Sequence, residues 1–303
     1  MESRKMKFVF TVGLLGLFGM ISCDESSDEI DTTAPSIELL DPVNGEYMSA
    51  GGYAHFEANL SDDIELATYN LEIHENFDSH SHGRLAATND DPSLIKWSYK
   101  QSFQVPSGSQ EYMAVHEDEI EIAQNAMAGP YHYIVQAIDA SGNSTSFQDD
   151  SAVEIEIYIT NDSQPIVDIT NLVDDELEIE VGTVFMVTGD VTDPTTGEYE
   201  GMHSLEVILG EDSHEEHEHD HGGRIAEEDL IDVHFEEEEL AQFMVDGAII
   251  LDKIFETINF TLSEAELDEL IEEEIDHLKL TISVHDEQGN IAVSNTEVHV
   301  HTD

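Results

Sequence analysis

Ala137-Ile138-Asp139-Ala140-Ser141-Gly142-Asn143 and Val284-His285-Asp286-Glu287-Gln288-Gly289-Asn290 decide the fold of this chain. In each stretch an apolar/polar alternating run leads into Asp-x-x-Gly-Asn, and a second alternating run follows. Alternation with period two marks a strand with one buried face, and Asn and Gly tolerate the positive φ that a tight turn demands. Asp286 lies 147 residues after Asp139, so the chain carries an internal repeat whose unit is a β-domain.

The repeat extends outward from these turns. Each copy opens alike, with Ala34-Pro35-Ser36-Ile37 and Gln164-Pro165-Ile166-Val167. Alternating runs recur at Ser36-Ile37-Glu38-Leu39, at Glu154-Ile155-Glu156-Ile157 and from Val293 to Val300, broken by Gly, Pro, Asn and Asp. A strand–turn–strand ending of this kind resembles the last two strands of an immunoglobulin-like sandwich. The pattern predicts an all-β protein of two tandem immunoglobulin-like β-sandwich domains, residues 34–161 and 162–303, meeting near Asn161 to Gln164. Ser263 to His277 departs from it. There Leu267, Leu270, Ile271 and Ile275 fall at helical spacing behind a Ser263/Glu266 capping box, predicting a short helix between the fifth and sixth strands of the second domain.

Charge narrows the function. The 303 residues include 9 Lys+Arg against 69 Asp+Glu, a net charge of −60. Nucleic acid and bare anionic membrane are poor partners for such a surface, whereas cations are favoured. Most of these carboxylates read as solvated surface, and with 40% hydrophobic residues the chain still has material for cores.

Residues 1–22 read as a lipoprotein signal peptide: Arg4, Lys5 and Lys7 precede an apolar run, Phe8 to Ile21, too short to span a bilayer. The single cysteine, Cys23, closes Met20-Ile21-Ser22-Cys23, so no intrachain disulfide is possible. That tetrapeptide resembles a bacterial lipobox, with Met in place of the usual Leu. The resemblance implies lipid on Cys23 and attachment to a membrane through it. The run Asp24-Glu25-Ser26-Ser27-Asp28-Glu29 lies within an acidic tether, residues 23–33, and resembles the export tag of Bacteroidota surface lipoproteins. It implies a protein lipid-anchored in the cell outer membrane and surface-exposed, with the periplasmic face as the alternative.

Sixteen histidines are many for this length, and they cluster. The first domain carries His74, Asp78, His80 and His82 in Ile73-His74-Glu75-Asn76-Phe77-Asp78-Ser79-His80-Ser81-His82-Gly83-Arg84. The second carries His214, His217, His219 and His221 among Glu215, Glu216, Glu218 and Asp220, ahead of Gly222-Gly223-Arg224. Neutral imidazole is the commonest transition-metal ligand, and interleaved carboxylates donate oxygen or orient the rings. In the expected fold each cluster follows strand C, whose end lies beside the start of strand F and the end of strand G. That topology brings His132 to the first cluster, and His277, His299 and His301 to the second. His116 is a further candidate for the first site, its register open. His55, His203 and His285 read as ordinary surface or strand residues.

The first cluster is similar to that of an uncharacterised Bacteroidota lipoprotein family of immunoglobulin-like domains, DUF4625, in the segment Ile-His-Glu-Asn-Phe-Asp-Ser-His-Ser-His that carries His74, Asp78, His80 and His82. The second domain keeps only Asp212-Ser213-His214 and lacks the His-x-Asn-Phe opening. The resemblance implies fold and location but no activity.

The expected function is capture, buffering or delivery of a divalent transition metal by a cell-envelope protein, with an outer-membrane transporter or another envelope protein as recipient. Zinc suits His/carboxylate sets best, with Cu²⁺ and Ni²⁺ as alternatives. Calcium is disfavoured because no Asp-x-Asp-x-Asp-Gly loop occurs. The first domain's sparse set suits one ordered ion, whereas the second offers more donors than one tetrahedral ion takes. The competing reading is an adhesion or carbohydrate- or protein-binding module, with calcium or no metal, although the lone Trp97 reads as core. Catalysis is not expected, for want of a nucleophile elbow, a phosphate loop or His-Glu-x-x-His.

The native protein is expected to lack residues 1–22 and to carry lipid on Cys23. Mass spectrometry of the membrane fraction checks this. A soluble protein still bearing Met1 would refute it.

Overall fold

Alternation in the sequence becomes alternation in burial. In the computed structural model, which describes residues 31–77, 93–149, 151–195, 201–211, 229–272 and 278–301, the first repeat forms eight strands. These are β1 (Ser36–Asp41), β2 (Glu46–Ser49), β3 (Tyr53–Ser61), β4 (Leu66–Glu75), β5 (Ser98–Gln104), β6 (Glu111–Glu121), β7 (Gly129–Asp139) and β8 (Val153–Thr160). They build two sheets, β1-β3-β6 and β2-β8-β7-β4-β5. Every pairing is antiparallel except β2 with β8. This is the strand order of an immunoglobulin-like sandwich, with β4 as strand C, β7 as F and β8 as G. Ala54, Phe56, Ala58 and Leu60 of β3 share one buried apolar core with Leu71, Ile73, Tyr131, Tyr133 and Ile157. Burying each large apolar side chain is worth about 1.5–3 kcal/mol.

The second repeat uses the same plan. Strands β9 (Ile166–Ile169), β10 (Leu177–Glu180), β11 (Gly189–Thr192), β12 (Met202–Glu211) and β13 (Ile231–Glu236) are followed by a one-turn helix α1 (Glu237–Leu240). Then come β14 (Met244–Val245), β15 (Ala248–Ile250), α2 (Leu251–Ile258), α3 (Glu264–Glu272), β16 (Leu278–Asp286) and β17 (Ile291–His301). The sheets are β14-β15-β11-β9 and β10-β17-β16-β12-β13, around a core that includes Phe185, Val207, Leu209, Phe255, Leu280 and Ile282.

The expected helix is α3, which lies between the seventh and eighth strands of the second domain, β15 and β16, rather than the fifth and sixth, because β14 and β15 precede it. Its capping box forms: Ser263 N donates to Glu266 Oε2 at 2.7 Å, and Glu266 N to Ser263 Oγ at 3.2 Å. Two further helices were not expected. Helix α2 follows directly on the apolar run Ala248-Ile249-Ile250 of β15, so no break in composition marks where strand gives way to helix. In the fold Leu251, Ile254 and Phe255 share a buried helical face, and Asn259 at φ 51° ends the helix.

The repeated turn is the same in both copies. Asn143 N donates to Asp139 Oδ1 at 2.7 Å, Asn290 N to Asp286 Oδ1 at 2.8 Å, and Gly142 and Gly289 both stand at φ 93°. The second copy does more. The two sandwiches cluster as one unit beginning at Thr32, and the Asp286–Asn290 turn lies against the end of the first sandwich. Asn290 Oδ1 accepts Ala128 N at 3.0 Å and Asn161 Nδ2 at 2.7 Å, while Ile291 N donates to Ala128 O at 2.9 Å. Ile291 joins the first core, and Tyr47 Oη donates to Val293 O at 2.9 Å. The chain passes between the sandwiches at residues 161–165, from the end of β8 to the start of β9.

Asn290 is fully buried, so Asn290→Ala strands the Ala128 N–H without an acceptor and leaves the Asn161 amide only its bond to Ala126 O at 3.0 Å. A loss of about 1–3 kcal/mol is expected. Urea unfolding of the variant measures it, and an unchanged midpoint would show that the junction does not depend on this amide.

Candidate metal centre

The register of β4 on β7 places the first two predicted ligands side by side: His74 pairs with His132, and Glu75 with Tyr131. Because Ile73, Tyr131 and Tyr133 point into the core, strand alternation sends both imidazoles to the outer face of the sheet. Their ring centroids are 5.4 Å apart. His132 Nδ1 lies 2.6 Å from Glu154 Oε1 on β8, which places the proton on Nδ1 and leaves Nε2 as a lone-pair donor. Glu72 Oε1 stands 3.8 Å from His74 Nδ1, too far for a hydrogen bond, and no described residue bonds that buried nitrogen.

The loop that carries the rest of the first cluster is pinned at both ends to one residue. Phe77, the last described residue after β4, packs edge-on against Tyr131 with centroids 5.6 Å apart. Trp97, where the chain returns, lies 6.2 Å from the same ring, and its burial matches the core reading of this residue. Phe77 also occupies the space above Gly129, where a Cβ would sit 2.4 Å from its ring. Only glycine lets the exit from β4 settle onto the start of β7, beside His132. Asp78, His80 and His82 lie outside the described residues.

In the second sandwich β12 ends at Glu211 opposite Leu278, the first residue of β16, and Leu278 also pairs with Val298 of β17. Strand ends C and G therefore meet at the start of F, as the topology required. His299 and His301 follow Val298, 4.9 Å apart, and His301 Nε2 is 3.2 Å from Glu178 Oε1. His214, His217, His219, His221 and His277 lie outside the described residues, as does Cys23.

His116 does not join His74 and His132. It lies on β6 in the opposite sheet and is buried, with Nε2 2.7 Å from the Tyr69 hydroxyl and Nδ1 2.7 Å from Glu119 Oε2. Tyr69 is five residues up β4 from His74, about 17 Å of strand. Stacked on Phe56 and tilted against Phe103, His116 is a core residue hydrogen-bonded to a surface carboxylate.

Two histidines read as ordinary are gathered with carboxylates. His55 stands with Asp41 and Glu46, and His203 with Glu237 and Glu287. No spacing rule links either trio, because each draws on elements that meet only in the folded sheets. Behind His203, burial and the neighbouring imidazoles of His203 and His234 pull His285 down to about 3. Beside it, burial pushes the Asp286 carboxyl up to about 6, against hydrogen bonds from Asn290 and Gln288.

Residues 21–158 match the family model of a domain of unknown function, DUF4625. The first sandwich is a domain of that family. No curated protein matches the chain. Among solved structures, the Clostridium thermocellum CbhA fibronectin(III)-like modules are 10% identical over 87% of this chain and 93% of theirs, with a TM-score of 0.23. The two tandem V-type regions of VCBP3, a v-region-containing chitin binding protein, are 11% identical over 88% of this chain and all of theirs, with a TM-score of 0.25. The titin domains z1z2, solved in complex with telethonin, are 13% identical over 89% and 99%, with a TM-score of 0.19. Among the described residues no helix is long and apolar enough to cross a membrane.

The shifts at His285 and Asp286 oppose each other. The neutral His285 contributes stability that is present above pH 6.5 and is lost as pH falls toward 3, whereas the contribution of Asp286 is present below pH 3.8 and is lost as pH rises through about 6. In His285→Gln, urea stability should therefore rise more between pH 6.5 and pH 4 than in the parent. Parallel profiles would refute the burial of a neutral imidazole.

Proposed function

We propose that this is a lipid-anchored cell-envelope protein that binds a divalent transition metal, zinc first, for capture, buffering or delivery to a transporter or another envelope protein. The observation that carries the reading is the His74–His132 pair, two imidazoles held 5.4 Å apart on rigid strands, one already oriented by Glu154. Two neighbouring imidazoles can supply half of a tetrahedral set, and the carboxylate on Nδ1 of His132 raises the basicity of that ligand. The His- and Asp-bearing segment begins one residue beyond Phe77, whose packing on Tyr131 starts it beside this pair. Asp78, His80 and His82 are its further ligands. Zinc there would serve as cargo or as a bridge. The second centre rests on His299 and His301 with the histidines of the preceding loop and His277. Its many donors suit loose, high-capacity holding.

The test is zinc affinity by chelator competition on the full mature chain. His74→Ala and His132→Ala are each expected to weaken the first-domain ion by at least tenfold, and Glu154→Gln by less. Because a ligand imidazole must be deprotonated and free histidine titrates near about 6.5, affinity should fall as pH drops through about 6. Unchanged affinity in both histidine variants, or a pH-independent affinity between about 5 and 8, would overturn the reading.

A further inference from the structure

We propose that Asp41, Glu46 and His55 form a second cation site in the first sandwich, taking a divalent transition ion such as zinc through one imidazole nitrogen and two carboxylate oxygens. It shares no residue with the His74–His132 pair and does not rest on that reading. The ligand atoms come from three neighbouring strands: Asp41 ends β1, Glu46 opens β2 and His55 is the third residue of β3. His55 Nε2 lies 2.8 Å from Glu46 Oε1 and 3.3 Å from Asp41 Oδ1, and all three ligand atoms lie within 4.8 Å of one another. A tetrahedral ion with bonds of about 2.0–2.1 Å needs ligands about 3.3 Å apart, so small movements of the carboxylates complete the triangle.

The site is held in place by its surroundings. Glu46 Oε2 accepts the Val43 N–H at 3.1 Å, which turns Oε1 toward His55. The His55 carbonyl accepts the hydroxyl of the core residue Tyr133 at 2.9 Å, which fixes the backbone under the imidazole. The three side chains remain a quarter to two-fifths exposed, leaving one coordination position open to water or to an incoming ligand. In the metal-free protein the proton on Nε2 occupies the place between His55 and the two carboxylates. A cation takes that place when the proton leaves Nε2 for Nδ1 or solvent, so proton and metal compete for one position. With two oxygens and one nitrogen the set is harder than an all-histidine site, which favours Zn²⁺ over Cu⁺. The imidazole donor separates it from calcium, which takes oxygen ligands.

The test counts ions. The full mature chain and its variants are equilibrated at the same buffered free zinc, and bound zinc per chain is measured by elemental analysis. His55→Ala, Asp41→Asn and Glu46→Gln are each expected to bind one zinc fewer than the parent, while His74→Ala/His132→Ala loses a different ion, so the losses add in the combined variant. Asp41→Asn and Glu46→Gln keep side-chain shape, and their thermal melting shows that the loss is not unfolding. Parent stoichiometry in His55→Ala overturns the site. A loss in His55→Ala that neither carboxylate variant reproduces assigns the ion to a lone surface imidazole and overturns the trio. Displacement of this zinc by millimolar calcium overturns the nitrogen ligand. If only the His74/His132 variant keeps the parent count, this site stands and the proposed function fails.

Discussion

The pairing of β4 with β7 is the constraint on which the first sandwich turns. Tyr131, Tyr133 and Ile73 must enter the core, and that requirement alone puts His74 and His132 together on the outer face. A slip of one residue would drive both imidazoles inward and bring the tyrosines into water, at a cost of several large buried side chains. The register is therefore protected by the core and needs no metal to hold it. The same tyrosine then anchors Phe77 and Trp97, so the packing that stabilises the sandwich also determines where the cluster loop starts and ends.

The repeated turn shows how one local motif takes two roles. Asp-x-x-Gly-Asn closes on itself identically in both copies, through the same side-chain-to-backbone bond and the same glycine conformation. Only the second copy meets another surface, where Asn290 satisfies two donors from the first sandwich. Burial raises Asp286. Ala128 immediately precedes β7, and His132 lies near the start of that strand, so the junction and the candidate metal centre are built at the same end of β7.

Much of this was legible in the sequence because it is periodic or local. The alternating runs, the turn repeated at 147 residues, the Ser263/Glu266 cap and the neighbourhood of His74 and His132 all follow from spacing and strand topology. What escaped is what spacing does not encode. Helix α2 hides in an apolar run whose strand and helix portions differ only in which face finds a core. Asp41, Glu46 and His55 are separated by no recognisable interval, and their meeting depends on the chain crossing from one sheet to the other between β1 and β2. His116 sits on the expected strand, but the facing of one strand against another was needed to send it into the core.

A chain with 69 acidic and 9 basic side chains has too few cations to neutralise its carboxylates, and histidine fills part of that shortage. His55 lies against Asp41 and Glu46, His116 against Glu119, His132 against Glu154, His234 against Glu236 and His301 against Glu178. In each pair the imidazole donates a hydrogen bond when neutral and a full positive charge when protonated, so it serves its carboxylate in either form. In the proposed sites a divalent ion would bring charge that the surrounding acidic surface favours. The acidity of the chain is thus not a background to its histidine clusters. It supplies the carboxylate that stands beside each of these five imidazoles.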